Sequence, residues 1–387
     1  MDPGACGSGG RPVTPPPCGP VAFLFLGETL LIPHLWPIVE ALAAAAPDVR
    51  QELWVSTSAH EALLATWAAP LGEGVRIRRA PGFRHAEVAP GRNPRLPAKL
   101  PMLARLAPKL LRTPVAVCAE QTSLWVPRVL PLRTRFVKTS HGVGSMSARD
   151  DPRRRSAWCL LVPSEAERRT YLDRGFAPEQ VQATGYVKAS FRQRTHARPP
   201  FADDRPVLLY TPHWQRHRSS WWDWGGEVVG RLVAAGRWNL ILAPHQRLVE
   251  RAPDLRAVLA EIAHLPHVHA DIDGFACVDG SYTAAADIYL GDTSSQVVEF
   301  LQRPRPAVFL NPRRVAWEAG PSYEQWRCGE VVERLDDLLP ALDRAPARHE
   351  CYATIQSRFA AEQLGPLDGL APARAAAHIL EALDVTR

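Results

Sequence analysis

Short apolar runs alternate with longer amphipathic segments along most of the chain. The first run, Val21 to Leu26, is followed by a glycine-led loop and a helix-length segment from Trp36 to Ala46. Short apolar runs separated by helical segments are typical of βα units, which assemble into parallel sheets. The pattern therefore predicts an α/β protein with mainly parallel strands.

The first half of the chain carries seven predicted strands. Ser164 and Glu167 have the spacing of a capping box and predict the start of a helix after one of them. The stretch Gly82 to Pro101 is rich in Pro, Gly and Arg without periodicity, so it is predicted to be a loop. The strands are predicted at Val21–Leu26, Glu52–Ser56, Val75–Arg79, Val115–Cys118, Arg135–Lys138, Trp158–Val162 and Val181–Ala183, with helices at Trp36–Ala46 and from His60.

A polar segment with prolines, Arg192 to Arg205, separates the two halves, and a fresh apolar run starts directly after it. A chain of 387 residues suits two domains, so this segment is the predicted boundary. The second half repeats the βα pattern. Its strands are predicted at Val207–Tyr210, Asn239–Ala243, Ile288–Leu290 and Ala307–Leu310, with helices at Glu227–Ala235 and Ser295–Gln302.

The predicted organisation is two Rossmann-like domains that face a central cleft. Residues 20–195 are predicted to form the first domain, and residues 205–345 are predicted to form the second. The Gly- and Pro-rich residues 1–19 are predicted to be a disordered tail. Residues 346–387 are predicted to be alanine-rich helices, which in two-lobed proteins often cross back to the first domain.

Composition and charge exclude several classes of protein. A net charge of +6 suits an anionic ligand or surface, but the arginines are scattered and no aromatic and basic module is present, so no nucleic-acid partner is predicted. Seven cysteines without a C-x-x-C pair favour a reducing compartment, so the predicted location is cytoplasmic. The longest apolar stretch contains Glu28 and Glu40 and is not a membrane span, and the start lacks a secretory leader.

The sequence predicts neither a metal nor a cofactor. Asp271 and Asp273 have the D-x-D spacing, but two acids at that spacing often arise by chance. His264, His267 and His269 lack matching carboxylate or cysteine ligands and are predicted to be loop residues. The chain also contains no phosphate-loop or G-x-G-x-x-G fingerprint, which disfavours the common ATPases and NAD enzymes.

The segment from Asp292 to Glu299 has the form of a strand end, a hydroxyl-rich turn and a helix start. Thr293, Ser294 and Ser295 place hydroxyl groups and unpaired backbone N–H groups where a phosphate can bind. Glu299, one turn later, can accept hydrogen bonds from ribose hydroxyls. The alternative, that Ser294 or Ser295 is only an N-cap and Glu299 a solvated helix residue, stays open here.

Two histidines follow predicted strands, at the edge where α/β proteins bind ligands. His141 and Gly142 end a first-domain strand, and an imidazole there can act as a general base while the glycine admits substrate. His245 and Arg247 end a second-domain strand and can hold a diphosphate. For each histidine a purely structural role in a turn remains the alternative.

A further polar loop, with Thr211, His213 and Arg216, opens the second domain after its first strand. Three tryptophans follow within Trp221 to Trp224. This aromatic cluster is predicted to be a hydrophobic plug, with a lid or a membrane contact as alternatives.

Taken in order, these motifs resemble the CDP-glycerol glycerophosphotransferases of teichoic-acid-type polymer synthesis. The resemblance covers roughly residues 135–312, while the first lobe is similar only in general pattern. The motifs are the His141-Gly142 turn, the Tyr210-Thr211-Pro212 strand end, the Pro244-His245 strand end and the Asp292-Thr293-Ser294-Ser295 helix start.

The resemblance implies a GT-B fold with the acceptor in the first domain, CDP-glycerol in the second and no obligatory metal. It implies that His141 is the catalytic histidine, that His245 contacts the diphosphate and that Glu299 is the acid after the phosphate turn. The residues expected at the donor are Gly142, Thr211, His213, Arg216, Arg247, Asp292, Thr293, Ser294, Ser295 and Glu299.

The chain departs from the family at two motifs. His213-Trp214-Gln215-Arg216 stands where the family has Trp-Arg, and Thr293 stands where it usually has Tyr. The donor is therefore open between CDP-glycerol, another CDP-alcohol and a sugar nucleotide.

The expected reaction is attack by an acceptor hydroxyl on the β-phosphorus of CDP-glycerol, with release of CMP. The expected acceptor is a polyol phosphate or a glycan, in this family lipid-linked. Lys99, Arg105, Lys109 and Arg112 then either face anionic headgroups or form an ordinary solvated helix face. The alternatives are a GT-B glycosyltransferase, a UDP-N-acetylglucosamine 2-epimerase-like enzyme and a non-catalytic nucleotide-binding scaffold.

Overall fold

The structure is a computed structural model, and it describes residues 19–86, 96–143, 151–196, 201 and 203–384. It contains two parallel sheets. The first has the order β3-β2-β1-β4-β5-β6-β7. Its strands are β1 Val21–Phe25, β2 Gln51–Thr57, β3 Val75–Arg84, β4 Val115–Cys118, β5 Arg135–Thr139, β6 Cys159–Val162 and β7 Val181–Ala183.

The second sheet has the order β10-β9-β8-β11-β12-β13. Counted from β8, this is the 3-2-1-4-5-6 order of a Rossmann sheet, and the first sheet has the same order with one strand added. The fold class predicted from the sequence is therefore confirmed. The strands are β8 Val207–Thr211, β9 Asn239–Leu242, β10 Val268–Ala270, β11 Ile288–Gly291, β12 Ala307–Leu310 and β13 Glu330–Val332.

Helices cover both faces of each sheet, which is why the strands are apolar at successive positions. Along β1, Val21 and Phe23 pack into one core, while Ala22 and Leu24 pack into another on the opposite face. In the first domain the helices are α1 Ile32–Ala45, α2 Ser58–Ala68, α3 Lys99–Leu110, α4 Trp125–Val129 and α5 Glu165–Asp173.

The second domain is covered in the same way. Its helices are α6 Trp221–Ala235, α7 Gln246–Arg251, α8 Pro253–Ile262, α9 Ser281–Ala285, α10 Ser295–Phe300 and α11 Leu338–Arg348. No helix within the described ranges is both long enough and apolar enough to span a bilayer.

The last two helices join the domains. In α12, Glu350–Leu364, the buried Gln356 donates to the carbonyls of Arg305 and Cys328 in the second domain. In α13, Ala371–Asp384, alanines and Ile379 pack into the α1 core of the first domain. Gly365 lies between them at a φ of 69°, and a Cβ there would lie 2.1 Å from the carbonyl oxygen of Pro163. Only glycine fits this crossing.

Several predicted boundaries were wrong. The helix predicted from Trp36 begins at Ile32, because Pro33 lies in its first turn, where proline is tolerated. The helix predicted from Glu227 begins at Trp221, so the tryptophan cluster forms its first turns and Trp221 is buried in the second-domain core. Gly225 permits this packing, since a Cβ there would lie 2.5 Å from the Trp221 ring.

The predicted loop from Gly82 to Pro101 has secondary structure at both ends, because β3 continues to Arg84 and α3 begins at Lys99. Residues 87–95 of this stretch lie outside the described ranges. The short strands β10 and β13 were missed, since three residues carry no periodic signal. His269, predicted to be in a loop, lies in β10. The Ser164 cap is present, and its hydroxyl accepts a hydrogen bond from the backbone N–H of Glu167.

Candidate active site

A cavity of about 430 Å³ lies between the domains, at the carboxyl ends of both sheets. The first domain lines it with the loops after β1, β4 and β5. The second domain lines it with the loops after β8, β9 and β11. This is the edge at which open α/β sheets bind ligands, and the volume lies within the range of small-molecule sites.

Another cavity, of about 450 Å³, lies away from the strand ends. It is lined by the segment that connects the domains, including Tyr186 and Arg192, and by the turn before α13. None of the predicted site residues lines it. The cavity between the sheets is therefore the candidate site.

His141 reaches the cavity from the turn after β5. Its Nδ1 lies 2.8 Å from the carbonyl oxygen of Ala119. A carbonyl oxygen only accepts, so Nδ1 carries the proton and Nε2 keeps its lone pair. His141 is exposed to the cavity, yet loss of water around the ring lowers its pKa to about 3, and the nearby Lys138 ammonium adds to the effect. The ring is thus a neutral imidazole with an unprotonated Nε2.

His213 and His245 line the opposite wall in the other tautomer. The Nδ1 of His245 accepts a hydrogen bond from the backbone N–H of Arg247 at 3.1 Å. The Nδ1 of His213 accepts one from the backbone N–H of Gln215, also at 3.1 Å. Burial lowers the pKa of His213 to about 3 and that of His245 to about 4, so both rings are neutral and carry their proton on Nε2. Each presents an N–H donor.

Asp292 does not line the cavity but supports the second-domain wall. Its buried carboxylate accepts hydrogen bonds from the backbone N–H of His213 at 2.8 Å and of Ser220 at 3.0 Å. These bonds fix both ends of the loop after β8, so Asp292 is a positioning residue. Burial raises the pKa of its carboxyl to about 7 against the opposite effect of those N–H groups.

The hydroxyl-rich turn lines the cavity, but two of its hydroxyls are used within the protein. Thr293 donates to the carbonyl of Ser322 at 2.6 Å and accepts from the side chain of Gln325. Ser294 caps α10 by accepting from the backbone N–H of Gln296. Ser295 makes no side-chain hydrogen bond to any residue in the described ranges. The capping interpretation of Ser294 is therefore correct, and α10 is only six residues long.

Besides Asp292, three further predicted residues lie outside this cavity. Thr211 is buried beneath it and hydrogen-bonds the Tyr289 hydroxyl at 2.7 Å. Arg216 is exposed, with its guanidinium 5.5 Å from the Trp222 ring centroid. Arg218, two residues later in the loop, lines the cavity instead.

Glu299 is the last of the predicted residues outside the cavity, and it joins the domains. Its carboxylate lies 2.7 Å from the ammonium of Lys188 and accepts from the Tyr186 hydroxyl at 2.6 Å. Both partners belong to the segment after β7. Glu299 is 7% exposed and is not the solvated helix residue of the alternative interpretation. It also borders a small space of about 70 Å³ beside His141 and His245.

Sequence reasoning missed several charged residues of the cavity. Its lining includes five cationic side chains and two carboxylates. Both carboxylates are paired: Glu28 lies 2.9 Å from Arg247 across the cleft, and Glu120 lies 2.9 Å from Lys99. The excess of positive charge favours an anionic ligand. The cationic residues are Lys99, Lys138, Arg154, Arg218 and Arg247.

Gly142 lines the cavity beside His141, and a Cβ placed on it would meet nothing within 4 Å. The space next to the base is thus open on this side. Among the residues that the structure describes, no group of three or more His, Cys, Asp or Glu side chains is arranged to hold a metal ion.

Comparison with known proteins supplies fold relatives but no family. No protein-family model matches the chain, and a search of curated proteins gives no match. A variant of the wall teichoic acid polymerase TagF soaked with CDPG matches with a TM-score of 0.63 at 12% identity, covering 95% of this chain and 89% of that one.

Two other solved structures are similar over the same length. MnaA from S. aureus with UDP matches with a TM-score of 0.63 at 14% identity, covering 95% of this chain and 97% of that one. A UDP-GlcNAc 2-epimerase from Neisseria meningitidis bound to UDP-GlcNAc matches with a TM-score of 0.60 at 11% identity, covering 94% and 99%. At these identities the likeness shows the fold, two Rossmann-like domains of the GT-B type.

Proposed function

We propose that the chain is a transferase that moves glycerol phosphate from CDP-glycerol to a hydroxyl of a polyol-phosphate or glycan acceptor, releasing CMP. The observation that carries the proposal is the opposite tautomers of the histidines across one cleft. His141 on the first domain offers a lone pair, while His213 and His245 on the second offer N–H groups. A group transfer needs one side to accept a proton and the other to stabilise negative charge.

In this mechanism the acceptor hydroxyl approaches Nε2 of His141, which takes its proton as the oxygen attacks the β-phosphorus. The new P–O bond forms on one side of that phosphorus while the bond to the bridging oxygen breaks on the other, and CMP leaves with the electron pair. His213 and His245 donate hydrogen bonds to the diphosphate oxygens, with Arg247, Ser294 and Ser295 beside them. Asp292 keeps the His213 loop in place.

The structure of TagF soaked with CDPG supports this choice of donor, since it shows the same fold with that ligand class. The excess of cationic side chains in the cavity suits a diphosphate. Glu299 borders the small space beside His245, and in this proposal its carboxylate accepts hydrogen bonds from the ribose hydroxyls while it remains paired with Lys188.

The test is a release assay on the full chain. CDP-glycerol is incubated with a glycerol-phosphate oligomer, and nucleotides are separated by chromatography. The proposal expects CMP and an acceptor longer by one unit, both lost in His141→Ala. Arg76→Ala, an exposed substitution far from the cleft, is the control variant. Full transfer by His141→Ala would refute the assigned role, and absence of CMP would refute the donor.

A nucleotide-sugar enzyme is the second candidate, because the fold relatives from S. aureus and N. meningitidis carry UDP and UDP-GlcNAc. A glycosyltransferase would release a nucleoside diphosphate, an epimerase would convert the sugar nucleotide without an acceptor, and a non-catalytic scaffold would bind ligand without turnover. Calorimetry and product analysis with UDP-GlcNAc in parallel therefore separate all three from the proposed reaction.

We also propose a cytoplasmic location with peripheral contact to the inner membrane surface. Arg105, Lys109 and Arg112 lie exposed on or just after α3, whereas Lys99 faces the cleft and pairs with Glu120. Two apolar residues are exposed as well, Leu111 directly after α3 and Val129 at the end of α4. Basic and apolar groups together suit an anionic bilayer. Co-sedimentation with anionic rather than neutral vesicles, weakened in Arg105→Glu, is the expected result.

A further inference from the structure

Lys138 is a buried lysine in the first-domain wall of the cavity. It lies near the end of β5, it is 3% exposed, and it borders the cavity close to His141. Its ammonium has three N–H groups, and one donates to the carbonyl of Thr139 at 3.0 Å. It forms no ion pair with any residue in the described ranges. The ammonium thus has further donor capacity, and the cavity that Lys138 lines offers open space beside it.

The groups around Lys138 do not neutralise it. Its strand neighbours are Cys118 on β4 and Leu160 on β6. Burial raises the pKa of the Cys118 thiol to about 12, so that thiol is neutral. Arg154, a second cation that lines the cavity, lies close enough to lower the pKa of Lys138 further.

The nearby carboxylates are engaged elsewhere. Glu120 pairs with Lys99 at 2.9 Å and accepts from the Ser123 hydroxyl. Asp151 binds Arg153 with both oxygens, and Glu167 accepts from the Ser140 hydroxyl at 3.2 Å. Burying a charge without a close counter-ion is unfavourable, and it is found where a ligand supplies the opposite charge. Burial accordingly lowers the pKa of Lys138 to about 7.

We propose that Lys138 forms an anion subsite in the first-domain wall of the cavity and that this subsite binds a phosphate group of the acceptor. The assignment to the acceptor rests on the proposed function. Lys138 and the base His141 are three residues apart at the end of one strand, on the wall opposite His213 and His245. An acceptor whose terminal unit carries both a phosphate and a free hydroxyl can place the first on Lys138 and the second on His141.

The subsite is tested by direct binding, without turnover. Glycerol 3-phosphate, inorganic phosphate and glycerol are titrated into the full chain by calorimetry, with wild type, Lys138→Met, Lys138→Arg and the surface variant Arg76→Met. Wild type and Arg76→Met should bind both phosphates and not glycerol. Lys138→Met should bind them about tenfold to a hundredfold more weakly, and Lys138→Arg should retain most of the affinity.

Stability separates this role from a structural one. Methionine keeps the apolar stem of Lys138 and removes the buried charge, so Lys138→Met should unfold at the same or a higher temperature than wild type without ligand. Added phosphate should then raise the unfolding temperature of wild type more than that of the variant. A structural lysine would give the reverse result, with the variant less stable at every phosphate concentration.

The pH dependence is specific. The ammonium must be protonated to bind, so affinity for the dianion should fall by up to about tenfold per pH unit as the pH rises from 7 to 9. Lys138→Arg should show no such decline. The neighbouring groups with shifted pKa values keep one protonation state across that range, because the pKa values of His34, His141 and Asp151 are lowered and that of Cys118 is raised.

Three results would overturn the proposal. Equal binding of glycerol 3-phosphate by wild type and Lys138→Met would refute the subsite. The absence of phosphate binding by wild type would refute it as well. A loss of CDP-glycerol affinity as large as the loss of glycerol 3-phosphate affinity moves Lys138 to the donor. These outcomes differ from failure of the proposed function, in which phosphates bind to Lys138 but CDP-glycerol is not cleaved.

Discussion

The two walls of the cleft use the same side chain in opposite ways. On the second-domain wall, backbone N–H groups donate to Nδ1 of His213 and His245, and Asp292 accepts from the backbone N–H of His213. On the first-domain wall, a backbone carbonyl accepts from Nδ1 of His141. The hydrogen bond made by Nδ1 therefore decides whether Nε2 donates or accepts.

The difference extends to charge. On the second-domain wall the two histidines are neutral donors, and Asp292 holds the His213 loop, whereas on the first-domain wall a buried ammonium, Lys138, lies beside the accepting imidazole. Loss of water around the ring, and after it the Lys138 ammonium, disfavour the imidazolium form of His141, so that base stays unprotonated. The comparison shows that hydrogen bonds to the backbone set the tautomer of each histidine in the cleft.

The largest effect is expected at His141. Removing the imidazole in His141→Ala takes away the proton acceptor, so kcat should fall by about 10² to 10⁴-fold while KM for CDP-glycerol changes little. Single-turnover kinetics of CMP release measure this.

The matched change on the opposite wall is His245→Ala. We expect the His141 variant to lose mainly kcat and the His245 variant to change mainly KM. An equal rise in KM for CDP-glycerol in the His141 and His245 variants would contradict separate roles for the walls. Circular dichroism of each variant checks that the fold is intact.

His245→Ala removes an N–H donor to a charged ligand. A hydrogen bond to a charged group contributes roughly 1.5–3 kcal/mol, so kcat/KM should fall by about tenfold to 150-fold, largely through KM. His245→Asn retains a side-chain donor and should restore part of the loss. If His245→Asn is no better than His245→Ala under matched CDP-glycerol titrations, the donor role of His245 is wrong.

The pH profile sharpens the comparison further. The base acts only when unprotonated, and its pKa lies well below the ordinary 6.5, so activity should persist as the pH falls and decline only toward the lowered pKa. A base of ordinary pKa would lose about thirtyfold in kcat/KM by pH 5. The measured loss should be far smaller.

Asp292 is the group to control for in that experiment, since burial raises its pKa to about 7. Below pH 7 the carboxyl of Asp292 takes up a proton. Because its pKa is higher in the folded protein than in the unfolded chain, Asp292 stabilises the fold at pH values below the unfolded pKa. This stabilisation is lost as the pH rises through 7. A decline near pH 7 that disappears in Asp292→Asn belongs to Asp292. A decline near pH 6.5 that remains would contradict the lowered pKa of His141.

The sequence predicted which strand ends meet at the cleft, because parallel strands all end at one edge of their sheet. It therefore located His141, His213, His245 and the turn after β11. It did not distinguish Arg216 from Arg218, since two arginines in one irregular loop carry no periodicity that says which faces the ligand. The three-dimensional course of the loop, fixed by Asp292, decides this.

Lys138 and Glu299 show a different limit. Lys138 lies in an apolar strand, and nothing in its neighbours along the chain shows that Cys118 and Leu160 flank it. Glu299 pairs with Lys188, 111 positions earlier, across the junction of the domains. Pairing between distant residues depends on how the two sheets are arranged, which single-sequence patterns do not report.

The smallest effect is expected at the cleft mouth, where one residue of each wall meets in the pair Glu28–Arg247. The pair is half exposed, and such pairs contribute at most about 1 kcal/mol, so Glu28→Gln should leave the unfolding temperature nearly unchanged. Arg247 also lies over the Trp214 ring, 5.3 Å from its centroid, which keeps it oriented when Glu28 is neutral. Released from the carboxylate, Arg247 should bind the diphosphate more readily, and KM for CDP-glycerol should fall by about twofold to fivefold at constant kcat. Arg247→Gln should raise the KM for CDP-glycerol. A raised KM in Glu28→Gln would contradict the prediction, because it would show that Glu28 itself assists binding and that the pair persists in the ligand-bound state.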